Sequence, residues 1–374
     1  MFHAYVLAAS LYLIWRLVLP LPVAKMWRVT GTLIVLIIAQ YHAIQIAIFG
    51  SMFSPEMPRS WIIVCGWAFC SFVLLTVTIL VLDLISLGMR VLSKDPGRIM
   101  TTRNKTIAAM LVGLLSVYGV QQAIQVPTIR RVSIEVPNLP PEFEGMRIVQ
   151  LSDLHISGLF DAAWTRELVA KTNALNGDLV VITGDLIDGT PEARQHDVAP
   201  LGDLRAALAV ITIPGNHEYY FQERRWRKVF EQLGMKVLIN EHLTVDRGDA
   251  KLAIAGVTDE VAAKYNGAGP NVSKAISGVP VNVPIVLLKH RPESADDSAA
   301  AGVAVQLSGH THGGMIWGLN QIARYANGGF ISGMYRVGAM TLYVSNGTAL
   351  WNGFPIRLGV PPEITELTLH TRHH

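Results

Sequence analysis

Four apolar stretches, at roughly 4–24, 29–50, 61–89 and 106–126, fill most of the first 127 residues. About 20 mostly apolar residues cross a hydrocarbon layer as a helix, and each stretch reaches that length. Four such helices with almost no polar face cannot all be buried in a soluble core. The pattern therefore predicts a transmembrane region at 1–127 with four spans. The first stretch is too long for a cleavable secretory signal, and three more follow it.

Charge separates the two parts of the chain. Residues 1–127 hold nine Lys and Arg against three acids, Glu56, Asp83 and Asp95, whereas residues 128–374 hold 22 basic and 25 acidic residues. The second part is ordinary in composition and long enough to bury a sizeable core. It carries no arginine-rich or aromatic-interleaved stripe, which argues against a nucleic-acid partner. Both cysteines, Cys65 and Cys70, lie in the apolar part, so no disulfide can staple residues 128–374.

Cationic residues between spans favour the cytoplasmic side. The first connection carries Lys25 and Arg28, the second only Arg59, and the third Arg90, Lys94, Arg98, Arg103 and Lys105. Placing the first and third inside puts both termini outside, with residues 128–374 on the extracytoplasmic face of a bacterial inner membrane. Arg130 and Arg131, just after the last span, weigh the other way. Gln40, His42, Gln45, Asp83, Gln121 and Gln122 fall within or beside spans. Such groups can mark a transport path, and hydrogen bonding between helices is the simpler expectation.

Residues 128–374 read as alternating strands and helices followed by a strand-rich end. Buried strands are expected at "MRIVQLSD", "DLVVITGD", "AVITIPGN", "VPIVLLKH", "AVQLSGH" and "MTLYVSNG", with helices at Trp164–Asn173 and "RRWRKVFEQLGM". That order predicts an α/β layered domain.

Polar residues collect where these apolar runs end. Asp153 and His155 close the first run and Asp185 the second. Asn216 and His217 close the third, His290 follows "IVLLK", and His310 and His312 follow "VQLS". In α/β sheets ligands gather beyond the carboxyl ends of strands, so five loops are expected to deliver O and N donors to one rim. In extended backbone residues i and i+2 share a face, which would let Asp153 converge with His155 and His310 with His312. Carboxylate, amide and imidazole donors without thiolate suit Mn, Fe or Zn, and this many donors exceed the needs of one ion.

The ordered series "SDLH…TGDLID…PGNHE…LLKH…SGHTHGG" resembles the calcineurin-like metallophosphoesterase superfamily over nearly all of 145–370, and the tail "NGTALWNGFPIRLGV" is similar to its bacterial membrane-associated branch. The resemblance implies a calcineurin-like α/β sandwich of two mixed β-sheets flanked by helices, holding two divalent metal ions. Asp153, His155 and His312 would hold one metal, Asn216, His290 and His310 the other, and Asp185 would bridge them. His217 matches the family's catalytic histidine, oriented by Asp188, and Asn216 and His217 would contact the phosphate. Two departures, Lys289 before His290 and Met315 after "GHTHGG", remove no ligand and bear on specificity.

The implied function is a membrane-anchored phosphoesterase in which a metal-bridging hydroxide attacks phosphorus, acting on a phosphate-ester substrate that is lipid-linked or part of the envelope. Two alternatives stand beside it. One is a UDP-2,3-diacylglucosamine-type pyrophosphatase, whose cytoplasmic substrate conflicts with the expected topology. The other is a membrane transporter or sensor with a regulatory phosphoesterase-like module. A basic cluster, Arg224, Arg225, Arg227 and Lys228, is expected to be a solvated helix face, with binding to anionic lipid as its functional alternative.

Overall fold

A computed structural model describes residues 2–92 and 101–372. Lys94, Asp95 and Arg98 of the third connection lie outside these residues. The chain divides into two compact units, Met1–Gln122 with Asn352–Ile356, and Ala123–Trp351 with Arg357–His374.

The first unit is helical. Helix α1 covers Phe2–Leu13 and continues through a π turn at Ile14–Val18, followed by α2 at Lys25–Ala39, α3 at Tyr41–Phe49, α4 at Arg59–Val91 and α5 at Thr102–Ile124. The expected four spans are not all reproduced. Helices α4 and α5, 33 and 23 residues long, are long and apolar enough to cross a membrane, and α2 with α3 makes a third only if the pair is counted as one span. That pair is bent by 60° at Gln40, whose ψ of 12° leaves the helical well. The first stretch yields a shorter helix, Phe2–Val18, because Pro20 and Pro22 follow and proline cannot continue the backbone ladder.

Polar groups of this unit pair with one another. Asp83 accepts hydrogen bonds from Arg16 Nε and Tyr12 Oη, both at 2.7 Å, and Lys105 Nζ donates to the Arg16 carbonyl at 2.8 Å. His42, buried, has Nε2 3.0 Å from the carbonyl oxygen of Gly353. Phe354 of the same segment meets Phe69 edge-on with ring centroids 6.3 Å apart.

Among the described residues the second unit has twelve strands. The earlier part of this unit supplies β1 (Thr128–Val136), β2 (Arg147–Leu151), β3 (Leu179–Ile182), β4 (Ala209–Thr212), β5 (Lys236–Val237) and β6 (Glu241–Arg247). Its later part supplies β7 (Ala250–Gly256), β8 (Ile285–Leu288), β9 (Val305–Ser308), β10 (Gly333–Val337), β11 (Met340–Val344) and β12 (Glu363–Thr371). Between them run helices α6 (Ala162–Asn173), α7 (Pro191–Val198), α8 (Asn216–Tyr220), α9 (Glu223–Gln232), α10 (Val272–Ala275), α11 (Ala295–Ala300) and α12 (Asn320–Ala326).

These strands form two mixed six-stranded sheets, ordered β1-β12-β2-β3-β4-β5 and β10-β11-β9-β8-β7-β6. In the first, β12 runs antiparallel to β2 and the other neighbours are parallel. In the second, β7, β8, β9 and β11 are parallel, and β6 and β10 close the edges antiparallel.

Side-chain alternation builds two layers of core. Ile148, Val181 and Ile211 from the first sheet meet Ile254, Val286 and Leu307 from the second in one buried cluster. On the opposite face of the second sheet, Ala253, Ala255, Leu287 and Leu342 pack with Ala275 of α10 and Ala295 of α11. Strands covered on both faces read as continuous apolar runs, as "IVLL" and "LVVI" do. The parallel centres of the two sheets end on a common rim, and the loops leaving β2, β3, β4, β8 and β9 carry the polar residues.

Candidate metal centre

The loops after β2, β3 and β9 leave their strands through an uncommon backbone conformation. Asp153, His155, Asp185, His310 and His312 all have positive φ, between 42° and 68°, a region costly for residues with a Cβ. The convergence expected of Asp153 with His155 holds, whereas that expected of His310 with His312 does not, since those two diverge into separate clusters.

Close backbone approach is built in at two glycines. A Cβ on Gly309 would overlap Ser152 Oγ and Asp153 Oδ2, and one on Gly215 would overlap Asp185 Oδ1. These bare positions let the loop after β9 lie against the loop after β2, and the loop after β4 against Asp185. His310 N donates to the Asp153 carboxylate at 3.1 Å, and His217 N donates to Asp185 Oδ1 at 2.8 Å.

The nine residues singled out in the sequence come together. Asp153, His155 and His312 form one group of converging donors, and Asp185, His290 and His310 form another. A third group, His155, Asp185 and His217, overlaps the first at His155 and the second at Asp185. Asn216 joins the second, with Oδ1 3.2 Å from His290 Nε2. Of these, all but His310 are buried.

Their spacing fits shared cations. His155 Nε2 faces His312 Nε2 at 3.3 Å, and His310 Nδ1 faces His290 Nε2 at 3.2 Å. His290 Nε2 is also 3.3 Å from Asp185 Oδ2. Donors bound to one ion at about 2.0–2.1 Å stand roughly 3.0–3.4 Å apart. Buried imidazole nitrogens aimed at one another over such distances match the edges of a coordination polyhedron better than a hydrogen-bond network, in which each nitrogen would need its own partner.

Electrostatics divides the histidines. Burial and the neighbouring cation-capable imidazoles hold His310 and His312 well below the ordinary imidazole value, so both are neutral and able to ligate. Burial opposes the charged form of His290 as well, yet Asp185 and Asp153 push it up to about 10. His217 is likewise raised to about 9 against its burial by Asp188 and Asp185. Asp185 is held well below the ordinary carboxylate value in spite of burial by His290 and His217.

Asp188 is wedged between two rings. Its Oδ1 makes a very short contact with His217 Nδ1, and its Oδ2 is 3.2 Å from His155 Nδ1. The two rings meet edge to face with centroids 4.6 Å apart. One carboxylate thus orients both a candidate ligand and the histidine beside the centre.

Two buried charged residues were missed at the sequence level. Glu218 accepts the N–H groups of Asp185, Leu186 and Gly215 at 3.0, 2.7 and 2.7 Å, and burial beside Asp185 pushes its carboxyl up to about 7. Its place in "GNHE" was visible; its direction was not. Arg357 is 1% exposed and donates to the carbonyls of His312, Asn346 and Ala349 at 2.6, 2.7 and 3.0 Å. The only hint was a lone arginine in an otherwise apolar stretch, "GFPIRLGV".

The two departures have structural roles. Lys289 is 3% exposed, and its Nζ lies 2.6 Å from Glu260 Oε1 and 2.9 Å from the Glu293 carbonyl. Met315 sits at φ 59° and its carbonyl accepts the Leu358 N–H at 3.0 Å. Of the basic cluster on and beside α9, Arg225 pairs with Glu192 and Arg227 lies 3.5 Å from Glu223, which fits a solvated, partly neutralised helix face.

Residues 146–314, the stretch that holds every one of these donors, match the calcineurin-like phosphoesterase family model. The chain is 36% identical over 294 residues to a Bos taurus transmembrane protein with metallophosphoesterase domain, covering 75% of this chain and 66% of the relative. A Danio rerio protein of the same name is 34% identical over 71% of this chain and 63% of its own length. The match thus spans just under two thirds of these two relatives. The Bacillus subtilis metallophosphoesterase YkuE is 31% identical over 62% of this chain and 81% of its own length. With the donor groups in place and a relative 31% identical matched over most of its own length, the chain belongs to the calcineurin-like metallophosphoesterases.

Proposed function

We propose that the chain hydrolyses phosphoesters at a dinuclear centre for which Asp153, His155 and His312 would hold one divalent ion and Asn216, His290 and His310 the other, with Asp185 placed to serve both. The observation that carries this reading is the position of Asp185, whose carboxylate belongs both to the group with His290 and His310 and to the group with His155 and His217. O and N donors without a thiolate favour Mn, Fe or Zn. A pair of such ions, when bound, makes water nucleophilic at neutral pH and neutralises phosphoryl charge.

The protein's own groups divide the remaining work. Asn216 and His217 position the phosphoryl oxygens. His217, kept cationic by Asp188, donates its proton to the leaving oxygen, a contribution of about 10²–10⁴-fold for a well-placed acid. Asp188 fixes the Nδ1–H tautomer, so that Nε2 is the atom presented to substrate.

The membrane placement belongs to the same reading. Helices α4 and α5 anchor the chain in a bacterial inner membrane, and the catalytic domain, 128–374, faces the extracytoplasmic side. Arg90 in the last turn of α4 and Arg103 and Lys105 in the first turn of α5 support that orientation. A lipid-linked phosphoester at the bilayer surface is the substrate class such anchoring favours.

The test uses the full chain in detergent, stripped of metal and reloaded with Mn²⁺, Fe²⁺, Zn²⁺ or Mg²⁺, assayed on aryl phosphate monoester and diester. Turnover restored by metal and lost in Asp185→Asn is the expected result. Near-normal turnover in that variant would overturn the bridging role. A reporter fused to the C-terminus, active only outside the cytoplasm, tests the orientation.

A further inference from the structure

A trough of about 450 Å³ has Tyr219, Tyr220 and Tyr265 on its walls, with Gln222, Glu223 and Arg224 among its polar lining. The ring of Tyr220 stands 5.1 Å from that of His217 and 6.0 Å from that of Tyr265. Tyr219 is 6.5 Å from Tyr265 on the same wall. The rings therefore run outward in a continuous series from the histidine assigned to protonate the leaving oxygen.

The trough is built in advance. Tyr219 is buried with Val261 and Ala262, and Tyr220 packs against the same cluster. Tyr265 ends the 3₁₀ turn Glu260–Tyr265, and Asp259 caps that turn by accepting the Val261 N–H at 2.8 Å. Two residues flanking His290 tie the turn down. Lys289 Nζ is 2.6 Å from Glu260, and Arg291 Nε is 2.8 Å from Asp259. The lysine that departs from the family pattern thus couples the strand bearing a candidate ligand to the wall bearing Tyr265.

We propose that this trough is the leaving-group subsite and that it selects phosphoesters whose alcohol carries a flat ring, of aryl or nucleoside type, placed to lie against Tyr220 and Tyr265. The inference rests on the proposed role of His217, because the group protonated by His217 is the one that must occupy the adjoining space. Flat rings gain from aromatic walls at centroid spacings of about 4.5–7 Å, whereas an alkyl group gains only area. The exposed guanidinium of Arg224 adds a cation that can lie over such a ring. Lys289 is a positioning residue in this scheme.

The test compares benzylphosphonate with butylphosphonate, which share the anionic head and differ in the ring, binding to full chain loaded with Mn²⁺ and followed by calorimetry. Turnover of benzyl and butyl phosphate, whose alcohols are of similar basicity, runs in parallel, and uridine 5′-monophosphate tests the nucleoside form of the same chemistry. Tighter binding of benzylphosphonate, cut on the order of tenfold in Tyr265→Ala and kept in Tyr265→Phe, with butylphosphonate unmoved, is expected from the usual worth of ring stacking. Lys289→Met should weaken the benzyl ligand alone and Lys289→Arg should recover part of it. Equal binding of the two phosphonates, or equal loss of both in Tyr265→Ala, overturns the subsite. A benzyl preference in binding without turnover of either ester leaves the subsite standing and counts against the hydrolytic reading. Failure of both phosphonates to bind the loaded protein removes both.

Discussion

The carboxylate of Glu218 receives the backbone N–H of Asp185 at 3.0 Å, so the residue next to His217 holds the Asp185 loop in shape. The same carboxylate takes Leu186 N–H and Gly215 N–H, joining the loops after β3 and β4. Removing it leaves three buried donors unpaired, each costing about 1–3 kcal/mol where water cannot reach. Glu218→Ala should therefore lower both thermal stability and metal occupancy, while Glu218→Gln, which keeps one acceptor oxygen, should lose less of each. Equal metal content in all three proteins, measured by elemental analysis, would show that Asp185 does not depend on this brace.

Asp188 touches two histidines, and its loss should be read through His217. In the ion-free protein that imidazole is raised to about 9 against its burial by Asp188 and Asp185, so there it is cationic over the neutral range and loses its proton as pH climbs through the raised value. With His217 as the acid, activity falls on the alkaline side. Asp188→Asn removes the partner that holds the proton and should move the alkaline limb of kcat/KM to lower pH. An unmoved limb would assign that titration to another group.

Metal loading should expel protons. In the ion-free protein His290 is raised to about 10 by Asp185 and Asp153 against its burial, so at neutral pH it carries a proton that a cation must displace. The sign follows: apparent affinity weakens as pH falls and strengthens as pH rises toward that value. Calorimetry of Mn²⁺ binding in two buffers of different ionisation enthalpy reads the protons released. Identical apparent enthalpies in both buffers would mean that none are.

The site was legible because its donors sit at the ends of apolar runs, and parallel strands bring their carboxyl ends to one rim whatever the loops do. The loop geometry was not. An extended reading of "GHTHGG" aims His310 and His312 the same way, whereas positive φ at both sends them to different groups. Braces such as Glu218 and Arg357 have ordinary identities, and only tertiary burial makes them matter. In the helical unit, hydropathy marked every apolar stretch but could not see the break at Gln40, where the chain turns by 60° with neither Gly nor Pro at the bend. It was equally blind to Asn352–Ile356 joining that unit, which depends on contacts such as His42 with Gly353 some 300 residues apart.

Arg357 offers the sharpest separation of positioning from chemistry. Its guanidinium is fully buried, and burial lowers it to about 10, yet its three hydrogen bonds go to neutral carbonyls, among them that of His312 at 2.6 Å. A planar fork can satisfy several carbonyls at once, whereas a lysine ammonium on a shorter stem cannot reach them with the same geometry. Hydrogen bonds to a charged group contribute about 1.5–3 kcal/mol each, so Arg357→Lys should destabilise the catalytic unit by a few such increments. It should also selectively weaken the cation held through His312, leaving the one held through His290 and His310. Sequential Mn²⁺ titration followed by paramagnetic broadening of the two imidazole sets would show one affinity falling and the other unchanged. Parallel loss at both sites would mean that Arg357 supports the fold as a whole rather than the loop that carries His312.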